Sequence, residues 1–229
     1  MNAAIVTVGD ELLCGDTANS NATWLCYRLS ERGVDLRRVT TVPDDVADIA
    51  QVVNEYRAEY DAVLVTGGLG PTHDDITMEA VAAAVGRPLE PHSEAREWLT
   101  TKGGYTDSEL IEGTTTLPAR ARMLPNTVGV APGVVVESIY VFPGVPQEMK
   151  AMFERIETEF NGERTYSESL EVDEPESNLI DRMTQLQDRF DVSVGSYPGG
   201  SVRIKISSAD SAEVESAIEW LRERVTLVE

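Results

Sequence analysis

The sequence predicts an α/β protein: a three-layer α/β/α arrangement around a mostly parallel sheet, followed by a small α+β unit. Three observations predict it. Up to Thr66, apolar runs and amphipathic stretches alternate as strand, helix, strand, helix, strand, the order that builds a parallel sheet covered on both faces. The chain has 229 residues, 41% of them hydrophobic, enough for a sizeable core. Its character then changes at Asn161–Arg164, a polar break before a second, shorter alternation.

The elements follow in order. Ala3–Val8 is an apolar run expected as a buried strand, and Gly9–Asn19 a polar loop. Trp24, Leu25 and Leu29 mark a helix stopped by Gly33, and the β-branched Val34–Val42 a second strand. Pro43, Asp44 and Asp45 form a turn before a helix marked by Val46, Ile49, Val53 and Tyr56. Asp61–Thr66 is the third strand. After the loop GGLGPTHDD, a helix from Ile76 ends at Gly86. Pro91 to Thr116 is polar, with one or two helices expected. Ala121–Leu124 and Gly133–Phe142 are expected as strands, the latter a hairpin turning near Ser138. Pro146 suits the first turn of a helix running to about Phe160. The remainder predicts strand Tyr166–Val172, helix Ser177–Phe190, strands Val192–Ser196 and Ser201–Ser207 around a Tyr197-Pro198-Gly199-Gly200 turn, and helix Ala212–Arg224. The expected domains are 1–163 and 164–229.

Charge and composition exclude several classes. Asp plus Glu total 40 against 19 Lys plus Arg, a formal charge of −21, and only Lys102, Lys150 and Lys205 are lysines. Such a surface repels nucleic acid and anionic lipid, so neither is an expected partner. An acidic, lysine-poor chain with regular apolar periodicity fits a protein of a salt-loving archaeon, where molar salt screens self-repulsion; an ordinary acidic protein is the alternative. No run of eighteen apolar residues is present and the N-terminus lacks a basic leader, which points to the cytoplasm. Cys14 and Cys26 fit small thiols in a reducing compartment.

Loops leaving the carboxyl ends of parallel strands carry ligands. Here they are Gly9–Asn21, Pro43–Asp45 and Gly67–Asp75. Gly67, Gly68 and Gly70 let backbone amides approach an anion, with positive φ available, and Thr66 and Thr72 add hydroxyls. A tight strand-to-helix turn is the plainer reading of the same glycines. Asp74 and Asp75 follow at once. Either is able to cap the helix at Ile76, yet two carboxylates beside a phosphate site repel the ligand unless a cation such as Mg²⁺ intervenes. Asp44 and Asp45 carry the same ambiguity, with Asp45 as the cap and Asp44 facing the pocket. Asp10 and Glu11 are acidic and also in a loop. His73 and His92 are too few for a transition-metal site; His73 is placed to touch a phosphate or to line the rim.

Taken together, TVGDELLCGDTANSNATWL, VPDDVADI, GGLGPTHDDITMEAV and APGVVVESIYVFPGVPQEMKAMF resemble the N-terminal domain of the CinA (competence/damage-inducible protein A) family, within the MoaB/Mog-type molybdopterin-binding superfamily. The last sixty or so residues resemble the small KH-like domain that follows in these proteins, without a GxxG loop. The resemblance implies a glycine loop that binds the phosphate end of molybdopterin or a nucleotide. It implies functional roles for Asp75 and Asp44, with Asp74 in support, and a second turn at Pro143 and Gly144 with Pro146 and Glu148 beside it. It implies a metal-dependent hydrolase of a nucleoside-diphosphate-linked substrate such as ADP-ribose, with Asp75 and Asp44 holding Mg²⁺ or another divalent cation. The alternatives are a molybdopterin-binding protein or adenylyltransferase, and a non-catalytic nucleotide-binding module. Expected partners are a small nucleotide or pterin and further copies of the chain, as a dimer or trimer. The nicotinamide-mononucleotide deamidase domain of longer members is expected to be absent.

Overall fold

Strand β1 (Asn2–Val8) is apolar on both faces and buried from Ala3 to Val8, so it sits in the middle of a sheet with a core on each side. The structure, a computed structural model, describes residues 1–70, 72–103 and 113–228. These fall into two compact units, Met1–Gly162 and Glu163–Glu229.

In the first unit β1 pairs in parallel with β2 (Asp35–Val42) on one side and β3 (Ala62–Gly67) on the other. β3 pairs in parallel with β8 (Ile139–Pro143), and β7 (Gly133–Val136) and β6 (Arg122–Leu124) complete the sheet antiparallel. The strand order is β2-β1-β3-β8-β7-β6. The pleat sends Ala3, Ile5, Ala62 and Leu64 to one core and Val6, Val8, Val63 and Val65 to the other. The first core is closed by α2 (Ser20–Glu31) through Leu25 and Leu29, and by α6 (Pro146–Ile156) through Met149, Met152, Phe153 and Ile156. That i, i+3, i+4, i+7 spacing is one helical face. The second core is closed by α3 (Val46–Glu59) through Ile49 and Val53, and by α4 (Thr77–Ala84) through Ala80 and Val81. This is a three-layer α/β/α unit with a mostly parallel sheet.

Several details differ from the sequence expectation. The Gly9–Asn19 loop holds a single helical turn, α1 (Asp10–Leu13), because the Cys14 amide reaches the Asp10 carbonyl at 2.9 Å. Between Pro91 and Thr116 there is one described helix, α5 (Ser93–Thr101), flanked by the paired β4 (Leu89–Pro91) and β5 (Thr116–Pro118); the second expected helix falls on 104–112, outside the described residues. α6 ends at Ile156 and tightens into a 3₁₀ turn, Glu157–Glu159, before Phe160. The hairpin near Ser138 turns at Glu137, whose φ is 55°.

The second unit is a three-stranded antiparallel sheet, order β10-β11-β9, made of β9 (Tyr166–Val172), β10 (Ser193–Pro198) and β11 (Val202–Ser208). Leu170, Val172, Ile204 and Ile206 pack under α7 (Ile180–Arg189) and α8 (Ser211–Arg222) through Leu186, Ala217, Ile218 and Leu221. The expected helix from Ser177 begins instead as a 3₁₀ turn, Glu176–Asn178, after Pro175.

Candidate functional site

Because β2, β1, β3 and β8 run parallel, their carboxyl ends share one edge of the sheet. A cleft of about 640 Å³ opens there. The strand order lays its lining out in a row: Asp44 after β2, Glu11 after β1, Gly68, Leu69, Gly70, Asp74 and Asp75 after β3, Gly144, Val145 and Glu148 after β8, and Gly129 to Ala131 before β7. Of the residues singled out in the sequence, Glu11, Asp44, Gly68, Gly70, Asp74, Asp75, Pro143, Gly144 and Glu148 line this cleft.

The glycines of the loop are there for space. None of Gly67, Gly68 and Gly70 has a positive φ, contrary to the conformational role expected of them. A Cβ on Gly67 would lie 2.3 Å from the Thr77 hydroxyl oxygen, and one on Gly68 would lie 2.4 Å from Asp75 Oδ1. On Gly70 it would lie 2.7 Å from Asp75 Oδ2. The Asp75 carboxylate therefore rests directly on the Gly68–Gly70 backbone. It is held by Thr72, whose backbone amide donates to Oδ2 at 2.9 Å and whose hydroxyl donates to the same oxygen.

Neither Asp74 nor Asp75 caps α4. The N-cap position is Ile76, and no side chain bonds to the first turn. The carboxylates are turned toward the loop instead, which removes the capping explanation for the pair. The Thr72 hydroxyl, with Asp74's own amide, holds the Asp74 carboxyl below the usual carboxylate range. By contrast Asp45 does cap α3, accepting from Ala47 N at 2.9 Å and Asp48 N at 3.0 Å. Asp44 is left to face the cleft. It is braced by Asp10: Asp10 N donates to Asp44 Oδ2 at 2.9 Å, and Asp44 N to Asp10 Oδ1 at 3.4 Å. Asp10 thus clasps the β1 and β2 loops together and does not itself line the cleft.

Thr66, Gly67, Thr72 and Pro146 are likewise outside the lining. Thr66 is buried within β3, and Pro146 opens α6. Gly67 packs against Val8 and Thr77, and Thr72 serves Asp75. His73 is fully exposed beside Asp74, and His92 caps α5 by accepting from Ala95 N.

Two asparagines that hold the cleft's turns in place were missed by sequence reasoning. Asn21, 8% exposed, donates to the Gly144 carbonyl at 2.7 Å and pins that turn. Asn126, 4% exposed, accepts from Val128 N at 3.1 Å and Gly129 N at 2.7 Å, and donates to Ala131 O at 3.0 Å and Glu148 Oε2 at 2.6 Å. Asn126 and Gly129 are turn-forming residue types, a local signal for a turn but not for its place in the cleft.

The cleft is electrostatically one-sided. Carboxylates line it, and no Lys, Arg or His is among its described lining residues. Among the described residues no three His, Cys, Asp or Glu side chains lie close enough to enclose a metal ion. No helix among them is long and apolar enough to cross a membrane.

Comparison with known proteins agrees with this architecture. Residues 4–160 match the family described as probable molybdopterin binding domain, and residues 164–227 match FAD synthase, middle domain. A protein of Archaeoglobus fulgidus is 38% identical over 225 residues, 97% of this chain and 97% of its own. A CinA-like protein of Citrifermentans bemidjiense is 42% identical over 161 residues, 67% of this chain and 39% of that protein. The solved structure of the protein CinA from Thermoplasma acidophilum superposes with a TM-score of 0.64 at 34% identity, covering 69% of this chain and 97% of that one. With its sheet edge, glycine loop and second turn all inside the matched segment, the chain belongs to the CinA family of proteins built on the probable molybdopterin-binding domain.

Proposed function

We propose that the cleft binds a phosphate-bearing small molecule of the pterin or nucleotide class, the molybdopterin class first. The observation that supports this best is the convergence of the Gly68–Gly70 backbone, the Asp75 carboxylate and the Gly144 turn in one cleft at the carboxyl edge of the parallel strands. Backbone without side chains admits a phosphate closely. The match to a probable molybdopterin-binding domain points the same way.

Phosphate in a cleft lined by carboxylates needs a counter-charge. The donor set fits a hard divalent cation of the Mg²⁺ kind, which takes one or two carboxylates and completes its shell with phosphate oxygens and water. Asp44 and Asp75 are the residues that would hold it, and bound there it would neutralise charge and polarise the phosphate.

A hydrolytic reading has one observation in its favour: Asp75 is not a helix cap, and its carboxylate lies on the glycine loop. In that reading the Gly68–Gly70 backbone and the Gly144 turn position a diphosphate, Asp75 and Asp44 orient the attacking water, and Asp74 supports them. ADP-ribose is the first substrate to try.

Calorimetric titration with molybdopterin and with ADP-ribose, each with and without Mg²⁺, tests both readings. Mg²⁺-dependent binding that is lost in Gly68→Ala is expected. No binding of either compound under any condition would remove the proposal. Release of AMP and ribose phosphate selects hydrolysis; binding without release leaves a binding protein.

A further inference from the structure

The wing of the cleft beyond β8 is built differently from the rest. It combines exposed aliphatic side chains, Val130 and Val145, with a single carboxylate, Glu148. Glu148 is held in place from behind. Asn126 is saturated: its carbonyl takes two backbone amides, which fixes the amide orientation, and its nitrogen is thereby aimed at Glu148 Oε2. Gly129 presses on the same carboxyl group, since a Cβ there would lie 2.4 Å from each of its oxygens. No basic group pairs with Glu148 among the described residues, and Oε1 has no hydrogen-bond donor among them.

A carboxylate fixed in this way, half-buried and next to aliphatic walls, is an acceptor waiting for donors. The strand order places it across the glycine loop from Asp44, so a ligand with its phosphates on that loop would extend its ring toward Glu148. We infer that Glu148 is the specificity-determining residue of the cleft, taking the paired N–H donors of a 2-amino-4-oxo-pyrimidine edge, the edge shared by pterins and guanine. This rests on the phosphate-binding reading above. The ring lies between Val130 and Val145, and its ring N–H and exocyclic amino group donate to the two carboxylate oxygens, Oε2 keeping its bond from Asn126. Adenine offers one amino donor beside an acceptor nitrogen, which the carboxylate repels.

Hydrogen bonds to a charged group are worth enough for about tenfold in affinity or more. The experiment compares GDP with IDP, which lacks only the 2-amino group, on wild type and Glu148→Gln at saturating Mg²⁺. The near-isosteric Gln retains an acceptor for Asn126, and an unchanged melting temperature verifies the fold. Wild type should prefer GDP over IDP about tenfold, and Glu148→Gln should bring that ratio close to one. 6-Hydroxymethylpterin diphosphate, run beside GDP, carries the same edge on a different ring and separates the two sources by which binds more tightly. Equal GDP and IDP affinities in wild type, or a preference that survives in Glu148→Gln, overturn the inference and leave phosphate binding intact provided Gly68→Ala still abolishes it. Failure of GDP, IDP and the pterin diphosphate alike to bind overturns the inference together with the reading beneath it.

Discussion

Asp75 decides what the glycine loop is able to hold, because its carboxylate already rests on Gly68 and Gly70. Asn in its place keeps an oxygen to accept from Thr72 and keeps the shape, but removes the charge. If the charge acts through a cation, Asp75→Asn should lose the Mg²⁺-dependent part of ligand affinity, and without Mg²⁺ it should bind phosphate more tightly than wild type, since a repelling carboxylate is gone. Stability should shift by no more than about 0.5 kcal/mol, as for a substitution that leaves packing intact. Paired titrations with and without Mg²⁺ read this directly. Identical affinities in both conditions would reduce Asp75 to a brace for Thr72. The contrast with Asp45 shows why type and position alone did not separate the carboxylates in the sequence. Asp45 and Asp75 both sit at the approach to a helix, yet one caps α3 and the other turns back onto its own loop.

At the scale of elements, what was legible came from period and punctuation. Strands β1 and β3 are continuous apolar runs, and the helices α2, α3 and α6 carry apolar residues at helical spacing between Gly, Asp and Pro signals. The part of the site that follows from strand ends was therefore legible too. The Asn126–Ala131 loop was not, because its role depends on β6 and β7 lying beside β8, a pairing that no local pattern encodes. The same reasoning gives quantitative expectations. Asp45→Ala leaves the Ala47 and Asp48 amides unpaired and should cost about 1 kcal/mol, read as a lower denaturation midpoint at unchanged slope. In the second unit, Glu174 accepts from Thr226 N at 2.7 Å and from Arg182 Nη1 at 2.7 Å. The Thr226 amide first, then Arg182, lower its carboxyl below the ordinary value of 4.5. Its contribution is fully present above that unfolded-state value and lost as pH falls through the lower folded-state one. The melting gap between wild type and Glu174→Gln should accordingly be open at neutral pH and close under acid. A gap that is constant across the titration would mean that the carboxylate's charge contributes nothing there.

For the whole molecule the dominant quantity is charge. Forty carboxylates against 19 Lys plus Arg leave −21. Several of the basic groups are already committed: Arg57 and Arg87 both meet Glu137, Arg122 meets Glu159, and Arg28 and Arg32 both meet Glu157. These pairs are partly exposed, open to solvent on one side, and individually weak, about 1 kcal/mol each, so they do not cancel the repulsion among the carboxylates left over. Two opposing effects of salt follow. It weakens the exposed pairs and it screens the surplus repulsion. With about two acids for every base the second effect is larger. Screening at 1 M reaches down to a Debye length of about 3 Å, shorter than the spacing of most surface charges. The melting temperature should therefore rise steadily from dilute buffer to molar KCl. It should rise further in the same range for a variant that loses an arginine, such as Arg122→Ala, because that change adds net negative charge for salt to screen. The check is a series of thermal melts of both proteins across KCl concentrations, with a non-ionic osmolyte as control for general exclusion effects. A melting point that stays level or falls with KCl, while the osmolyte raises it, would show that repulsion is not what limits this fold, and the adaptation to salt read from its composition would have to be given up.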